Sequence, residues 1–163
     1  MGDKTYNVLF LCTQNAGRSI LAEALLNSLG AGRFKAYSGG SFPAGAIDTH
    51  AVAVLEKLRI DTNGLRSKSW DEFASPDAPH MDFVITLCDH AAEEICPVWP
   101  GHPITAHWGY PDPAKAEGDE AAKLAAFSHT ASLIAERLRL LINLPVDKLE
   151  HLALQSEVEK LAA

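Results

Sequence analysis

The stretch "NVLFLCTQNAGRSILAEALL", residues 7–26, decides how this chain is read. Its first part is an unbroken apolar run, which predicts a strand buried on both faces. The run ends at Cys12. Beyond a short loop, Leu21, Ala24, Leu25, Ser28 and Leu29 recur at helical spacing, predicting a helix over 19–29 that Gly30 and Gly32 stop. A loop between a strand and a helix start turns its N–H groups inward, and the helix dipole adds positive potential. Gly17 permits the bend. Arg18 offers a planar fork for two oxygens of a tetrahedral oxyanion. The same field is expected to favour the Cys12 thiolate, to which Ser19 could donate a hydrogen bond. The expectation is a nucleophile at the floor of an anion cradle built from Thr13, Gln14, Asn15, Ala16, Gly17, Arg18 and Ser19. The bland alternative is a buried core cysteine with an ordinary first-turn arginine. The preceding strand, the following helix and the Gly-Arg-Ser ending weigh against it.

Outward from this stretch the pattern alternates. "RFKAYSGG" (33–40) predicts a second strand broken by its glycines, and Ile47, Ala51, Val54, Leu55 and Leu58 predict a helix over 47–58. One helical turn is expected near Trp70 to Phe73. "DFVITL" (82–87) is the clearest further strand and runs into Cys88. "DHAAEEI" is helix-prone, with Asp89 as its cap. "ITAHW" (104–108) is the fourth strand candidate. A long helix is predicted from about Glu120 to Ile142, with Leu124, Phe127, Ala131, Ile134, Leu138 and Leu141 along one face and Pro145 ending it. The tail after 145 reads as one or two short helices. This order predicts an α/β three-layer sandwich: a four-stranded parallel sheet, order 2-1-3-4, with helices on both faces. Ligands bind such sheets at the carboxyl ends of the strands, where strands one and three are neighbours. Cys12 and Cys88 are therefore expected across one crevice.

The bulk numbers agree with one domain over 1–163 and a C-terminal helical extension from about 145. With 163 residues and 47% hydrophobic content the chain has enough apolar material for a full core. A net charge of −7 argues against nucleic acid or an anionic membrane as partner. It leaves a small anion open, because loop amides and one arginine make a local positive site. No signal region or spanning run is visible and "MGDKTY" fails the myristoylation pattern, so a cytoplasmic protein is expected. Three cysteines, Cys12, Cys88 and Cys96, do not make a disulfide framework. No metal is expected. Zinc on Cys88, His90, Cys96 and His102 has the wrong spacing for the usual knuckle, and His107 beside Trp108 reads as structural.

C-x5-R-S at the first strand–helix junction resembles the low-molecular-weight protein tyrosine phosphatase fold, and the remainder resembles its thioredoxin-coupled arsenate reductases. The stretches that carry the resemblance are "VLFLCTQNAGRSILAEALL", "YSGGS", "SKSWDEF", "DFVITLCDHAAEEICPVWPG" and "HWGYPDPAKAEG", together about residues 7–142. "PDP" (111–113) matches the family's Asp-Pro acid, so Asp112 is the expected proton donor to a departing oxygen. A phosphatase needs only Cys12, Arg18 and Asp112; a reductase adds Cys88 and Cys96. The resemblance implies that Cys12 attacks arsenate, Cys88 attacks Cys12 sulfur and Cys96 attacks Cys88, with thioredoxin reducing the last disulfide. A helix over 88–96 would hold its ends about 12 Å apart, beyond the roughly 7 Å limit for a disulfide, so the segment is expected to unwind on oxidation. Asn15, Glu23 and Ser38 match loop-supporting positions where some members bind potassium, and the Lys68 ammonium is expected to replace that cation and pair with Glu23. No bound cofactor is implied. Phosphate or sulfate is expected to fit the same loop, glutaredoxin is the alternative reductant, and a monomer is expected. The alternative functions are a low-molecular-weight phosphatase, needing an apolar wall for an aryl group, and a redox-sensing module without turnover.

Overall fold

The computed structural model describes residues 5–87, 103–145 and 151–161. The apolar run becomes β1 (Tyr6–Cys12), in which Val8, Leu9, Phe10 and Leu11 have no solvent exposure. Burial on both faces is why this strand shows no polar alternation. It lies between β2 (Phe34–Gly40) and β3 (Phe83–Thr86), and β4 (Ile104–His107) completes a parallel sheet of order β2-β1-β3-β4.

Side chains alternate across the sheet and divide the core in two. On one face Val8, Phe10, Phe34, Ala36, Phe83, Ile85 and Ile104 pack into a large cluster. That cluster takes in α1 (Arg18–Leu29), α2 (Thr49–Lys57) and α3 (Glu120–Ile142). On the other face Leu9, Leu11 and Val84 meet Met81 and the 3₁₀ turn Trp70–Phe73. The seam predicted for the long helix is the buried one: Phe127, Ala131, Ile134, Leu138 and Leu141 are in the core, with Leu124 partly buried against it. Asp119 caps this helix by accepting the Ala122 N–H, and the helix ends at Asn143, before Pro145.

One expectation needs correction. The glycines do not break the second strand: Gly39 pairs with Leu11 and Gly40 with Cys12. They are there because space is absent. A Cβ on Gly39 would stand 2.9 Å from Trp70 Cα, and one on Gly40 would stand 2.5 Å from Thr13 O. The tail, which the sequence left without a role, forms α4 (His151–Lys160) and covers the open edge of the sheet. Ile104 and Trp108 donate to Asp82 and Thr86 on the β3 side, so the N–H and C=O of Thr105 point outward. The Gln155 side-chain amide binds both, accepting from Thr105 N–H and donating to Thr105 O. Val158 is fully buried in the same core cluster as Trp108, whose indole N–H donates to Val158 O at 3.3 Å. An edge strand that would otherwise offer free backbone groups is thereby closed. His107 bonds to Thr86 Oγ1 at 2.7 Å. Among the described residues no helix is long and apolar enough to cross a membrane.

Candidate active site

Cys12 is the last residue of β1 and is 4% exposed. The loop after it is fixed from outside. Thr13 O accepts from Phe42 N–H at 2.9 Å, Gln14 O from Ala44 N–H at 3.0 Å and from Ser67 Oγ at 2.9 Å. Ala16 O accepts from Asp48 N–H, and Gly17 O from Leu21 N–H, both at 2.9 Å. In a trans peptide the N–H points opposite to its carbonyl. With these carbonyls committed outward, the amides of residues 14, 15, 17 and 18 turn toward the cavity that the loop lines. The N-terminus of α1 adds its dipole there, and its first turn carries no acidic residue to oppose an anion.

The bend is made differently from the sequence expectation. Asn15, not Gly17, takes the left-handed conformation, at φ 49°, while Gly17 lies at φ −128°. Asparagine tolerates that region because its short amide bonds locally. Fully buried Asn15 donates to Ser19 Oγ at 2.8 Å and accepts the Lys68 backbone N–H at 2.9 Å. Ser19 is also fully buried and does not line the cavity; its hydroxyl accepts from Asn15 and keeps its own proton to give.

Arg18 is held over the loop by two partners. Its Nη1 donates to Tyr110 O at 2.8 Å, and its Nη2 stands 3.7 Å from Asp112 Oδ2. Asp112 in turn accepts the Ala114 N–H at 3.0 Å, at the start of a short 3₁₀ turn over Pro113–Lys115. Burial pushes the Tyr110 phenol up to about 12, so it stays protonated while its carbonyl positions the guanidinium. Cys12, the loop residues 13–18 and Asp112 enclose a cavity of about 140 Å³.

A second group of predicted residues meets on the β2 side of the loop. Glu23 on α1 accepts a hydrogen bond from Ser38 Oγ, and Lys68 Nζ lies 3.5 Å from Glu23 Oε1 and 3.4 Å from Ser38 Oγ. The ammonium also donates to Arg66 O at 2.9 Å. Lys68 is 8% exposed, so the reading of a solvated surface lysine is excluded. Burial holds its ammonium below the ordinary 10.5, with Glu23 pulling in the opposite direction.

Sequence reasoning missed four lining residues: Asp48, Ala114, Lys115 and Phe127. Asp48 falls within the predicted helix 47–58 and Phe127 within the predicted core seam, and neither position carries a signal for the site. Ala114 and Lys115 follow "PDP" directly, which was the available signal. Cys88 and Cys96, with the helix expected between them and the alternative zinc set, lie outside the described residues. The neighbouring backbone is described: Leu87, just before Cys88, donates to Leu11 O, just before Cys12, at 2.9 Å.

The same combination of loop and sheet is found in known proteins. An arsenate reductase of Bacillus licheniformis is 38% identical over 140 residues, covering 85% of this chain and 95% of that one. The crystal structure of an arsenate reductase from Archaeoglobus fulgidus superposes with a TM-score of 0.66 at 27% identity, covering 84% of this chain and 99% of the other. An arsenate reductase solved in its oxidized state reaches a TM-score of 0.68 at 28% identity, over 85% and 97% of the two chains. The family model described as low molecular weight phosphotyrosine protein phosphatase matches residues 7–157. The chain belongs to the low molecular weight phosphotyrosine protein phosphatase family, and its similarity within that family runs to arsenate reductases.

Proposed function

We propose that this protein reduces arsenate to arsenite through Cys12, Cys88 and Cys96. The observation that carries the proposal is the closed constellation of Cys12, inward amides, Arg18 and Asp112 around one small cavity. It suits a tetrahedral oxyanion, and arsenate and phosphate share that shape. Similarity to arsenate reductases supports arsenate chemistry.

The Cys12 thiolate attacks arsenic(V) held by the loop amides and Arg18. A sulfur–arsenic bond forms, and Asp112 protonates the oxygen that leaves as water. Cys88 thiolate attacks Cys12 sulfur. The sulfur–arsenic bond breaks with its electron pair remaining on arsenic, which leaves as arsenite, and a Cys12–Cys88 disulfide remains. Cys96 then attacks Cys88, freeing Cys12 thiolate and leaving a Cys88–Cys96 disulfide. Thioredoxin supplies the two electrons that reopen it. The described backbone supports this order, since the residues preceding Cys88 and Cys12 are bonded to each other. Lys68 serves as the fixed cation beneath the loop, in place of a potassium ion, through Glu23 and Ser38. Potassium-insensitive activity that also survives Lys68→Ala unchanged would refute that part.

The test is arsenate-dependent NADPH oxidation with thioredoxin and thioredoxin reductase, for wild type and for Cys12→Ser, Cys88→Ser and Cys96→Ser. Turnover by the wild type and failure of all three variants support the relay. Replacing thioredoxin by glutaredoxin and glutathione identifies the reductant. A second reading, phosphate monoester hydrolysis, draws on Phe127, which gives the cavity an apolar wall for an aryl group. A silent wild type that cleaves para-nitrophenyl phosphate without needing Cys88 would establish it.

A further inference from the structure

The cavity wall contains a carboxylate that an anion site should avoid. Asp48 lines the cavity beside the loop, anchored by its own N–H to Ala16 O. Among the described residues its ion-pair partner is His50. His50 Nδ1 lies 2.9 Å from Asp48 Oδ1, and His50 Nε2 lies 2.7 Å from Glu120 Oε2 at the start of α3. A neutral imidazole has one N–H and can donate to only one of these carboxylates. Both contacts together require the imidazolium. The ring stacks on Phe127, another cavity wall residue, with centroids 5.3 Å apart and planes 24° from parallel. His50 therefore touches two of the four missed lining residues, Asp48 and Phe127, without lining the cavity itself.

We propose that His50 is a positioning residue that neutralises Asp48 and so admits a tetrahedral oxyanion to the Cys12 loop. The inference deepens the oxyanion reading above and rests on it for the identity of the natural ligand. Two carboxylates bonded to one ring also keep His50 protonated above its ordinary 6.5, with the Glu120 bond the larger cause and Asp48 next. As pH rises through the folded value the imidazolium is lost, Asp48 stands uncompensated, and anion affinity falls. The other ionisable groups around the cavity are Cys12, Arg18, Asp112 and Lys115. All four are present in wild type and in a His50 variant alike, so the comparison between the two isolates His50.

The experiment measures inorganic phosphate binding by calorimetry, beside arsenate KM and kcat, from pH 6 to 9. His50→Gln is expected to weaken phosphate binding and raise KM about three- to tenfold at the acidic end, with kcat kept. The deficit shrinks as pH rises, and the double variant Asp48→Asn/His50→Gln restores binding. Asp48→Asn alone retains the helix cap. It is expected to bind phosphate more tightly than wild type, because the carboxylate charge on the cavity wall is gone, which keeps the test available if His50→Gln folds poorly. Unchanged binding in His50→Gln, no restoration by the double variant, or no gain in Asp48→Asn would each overturn the proposal. Phosphate binding needs no reductase turnover, so a failure of the arsenate reading is distinguishable from a failure of this one.

Discussion

Replacing Gly40 by alanine tests whether the loop's position is set by backbone contact with β2. Gly40 pairs with Cys12, and its φ is not in the left-handed region, so alanine adds no backbone strain of its own. The effect is steric. The new Cβ would lie 2.5 Å from Thr13 O, 2.8 Å from Cys12 O and 3.0 Å from Asn15 N, whereas ordinary contact begins at 3.4 Å. All three atoms are backbone, and Thr13 O is tied to Phe42 N–H, so no side-chain rotation relieves the clash. The loop and strand must separate by about 0.9 Å at the closest point, the difference between contact at 3.4 Å and the 2.5 Å available. A displacement of about 1 Å at a reacting group costs on the order of 10²-fold in rate, equivalent to about 2.7 kcal/mol. Overpacking of this kind costs about 1–3 kcal/mol of stability. The assays are kcat/KM for arsenate in the thioredoxin-coupled reaction and urea unfolding of the same preparation. Gly39→Ala is the control, because its Cβ meets Trp70 Cα at 2.9 Å and not the loop. It is expected to lose similar stability but much less activity. Near-normal kcat/KM in Gly40→Ala at unchanged stability would refute the claim that β2 fixes the loop.

Three further outcomes are expected. Asp112→Asn removes the proposed proton donor while keeping its shape, and kcat is expected to fall about 10²-fold or more; an unchanged kcat in steady-state assay would remove Asp112 from that role. Lys68→Met should alter the pH dependence of stability: the unfolded lysine holds its proton to about 10.5 while the buried one loses it sooner. The unfolded state then binds more protons, so wild-type stability rises with pH in that window relative to the variant; parallel urea curves between pH 7 and about 10.5 would contradict this. Val158→Ala and Gln155→Ala should each destabilise the protein by about 1–2 kcal/mol, from lost methyl burial and from two unmade edge bonds. Faster proteolysis of the tail in Gln155→Ala would locate the loss at α4, and unchanged unfolding midpoints would show that α4 does not secure the edge.

The sequence by itself determined the layout of the fold and the ends of the proposed chemistry. A short continuous apolar run followed by strand–helix alternation reads as a strand buried on both faces of a parallel sheet, and the helical spacing after Arg18 places the anion loop between strand and helix. The seam from Leu124 to Leu141 was legible because helix burial follows a 3.6-residue period whatever packs against it. Asp112 was legible only through the resemblance of "PDP" to the family's Asp-Pro acid. Residues whose roles depend on what lies opposite them were decided only by the tertiary structure. Gly39 and Gly40 look like strand breakers until Trp70 and Thr13 are seen against them. Asn15 takes the turn attributed to Gly17 because Ser19 and the Lys68 backbone complete its amide's bonds. Glu120 lies 70 residues from His50 in sequence and joins the neighbouring Asp48 and His50 in a single charge cluster only when α2 and α3 begin side by side. Gln155 has no local signal at all, since its partner, the outward edge of Thr105, exists only once four strands have been laid in order. Periodicity is a property of one segment and survives in the sequence; complementarity between segments is created by folding.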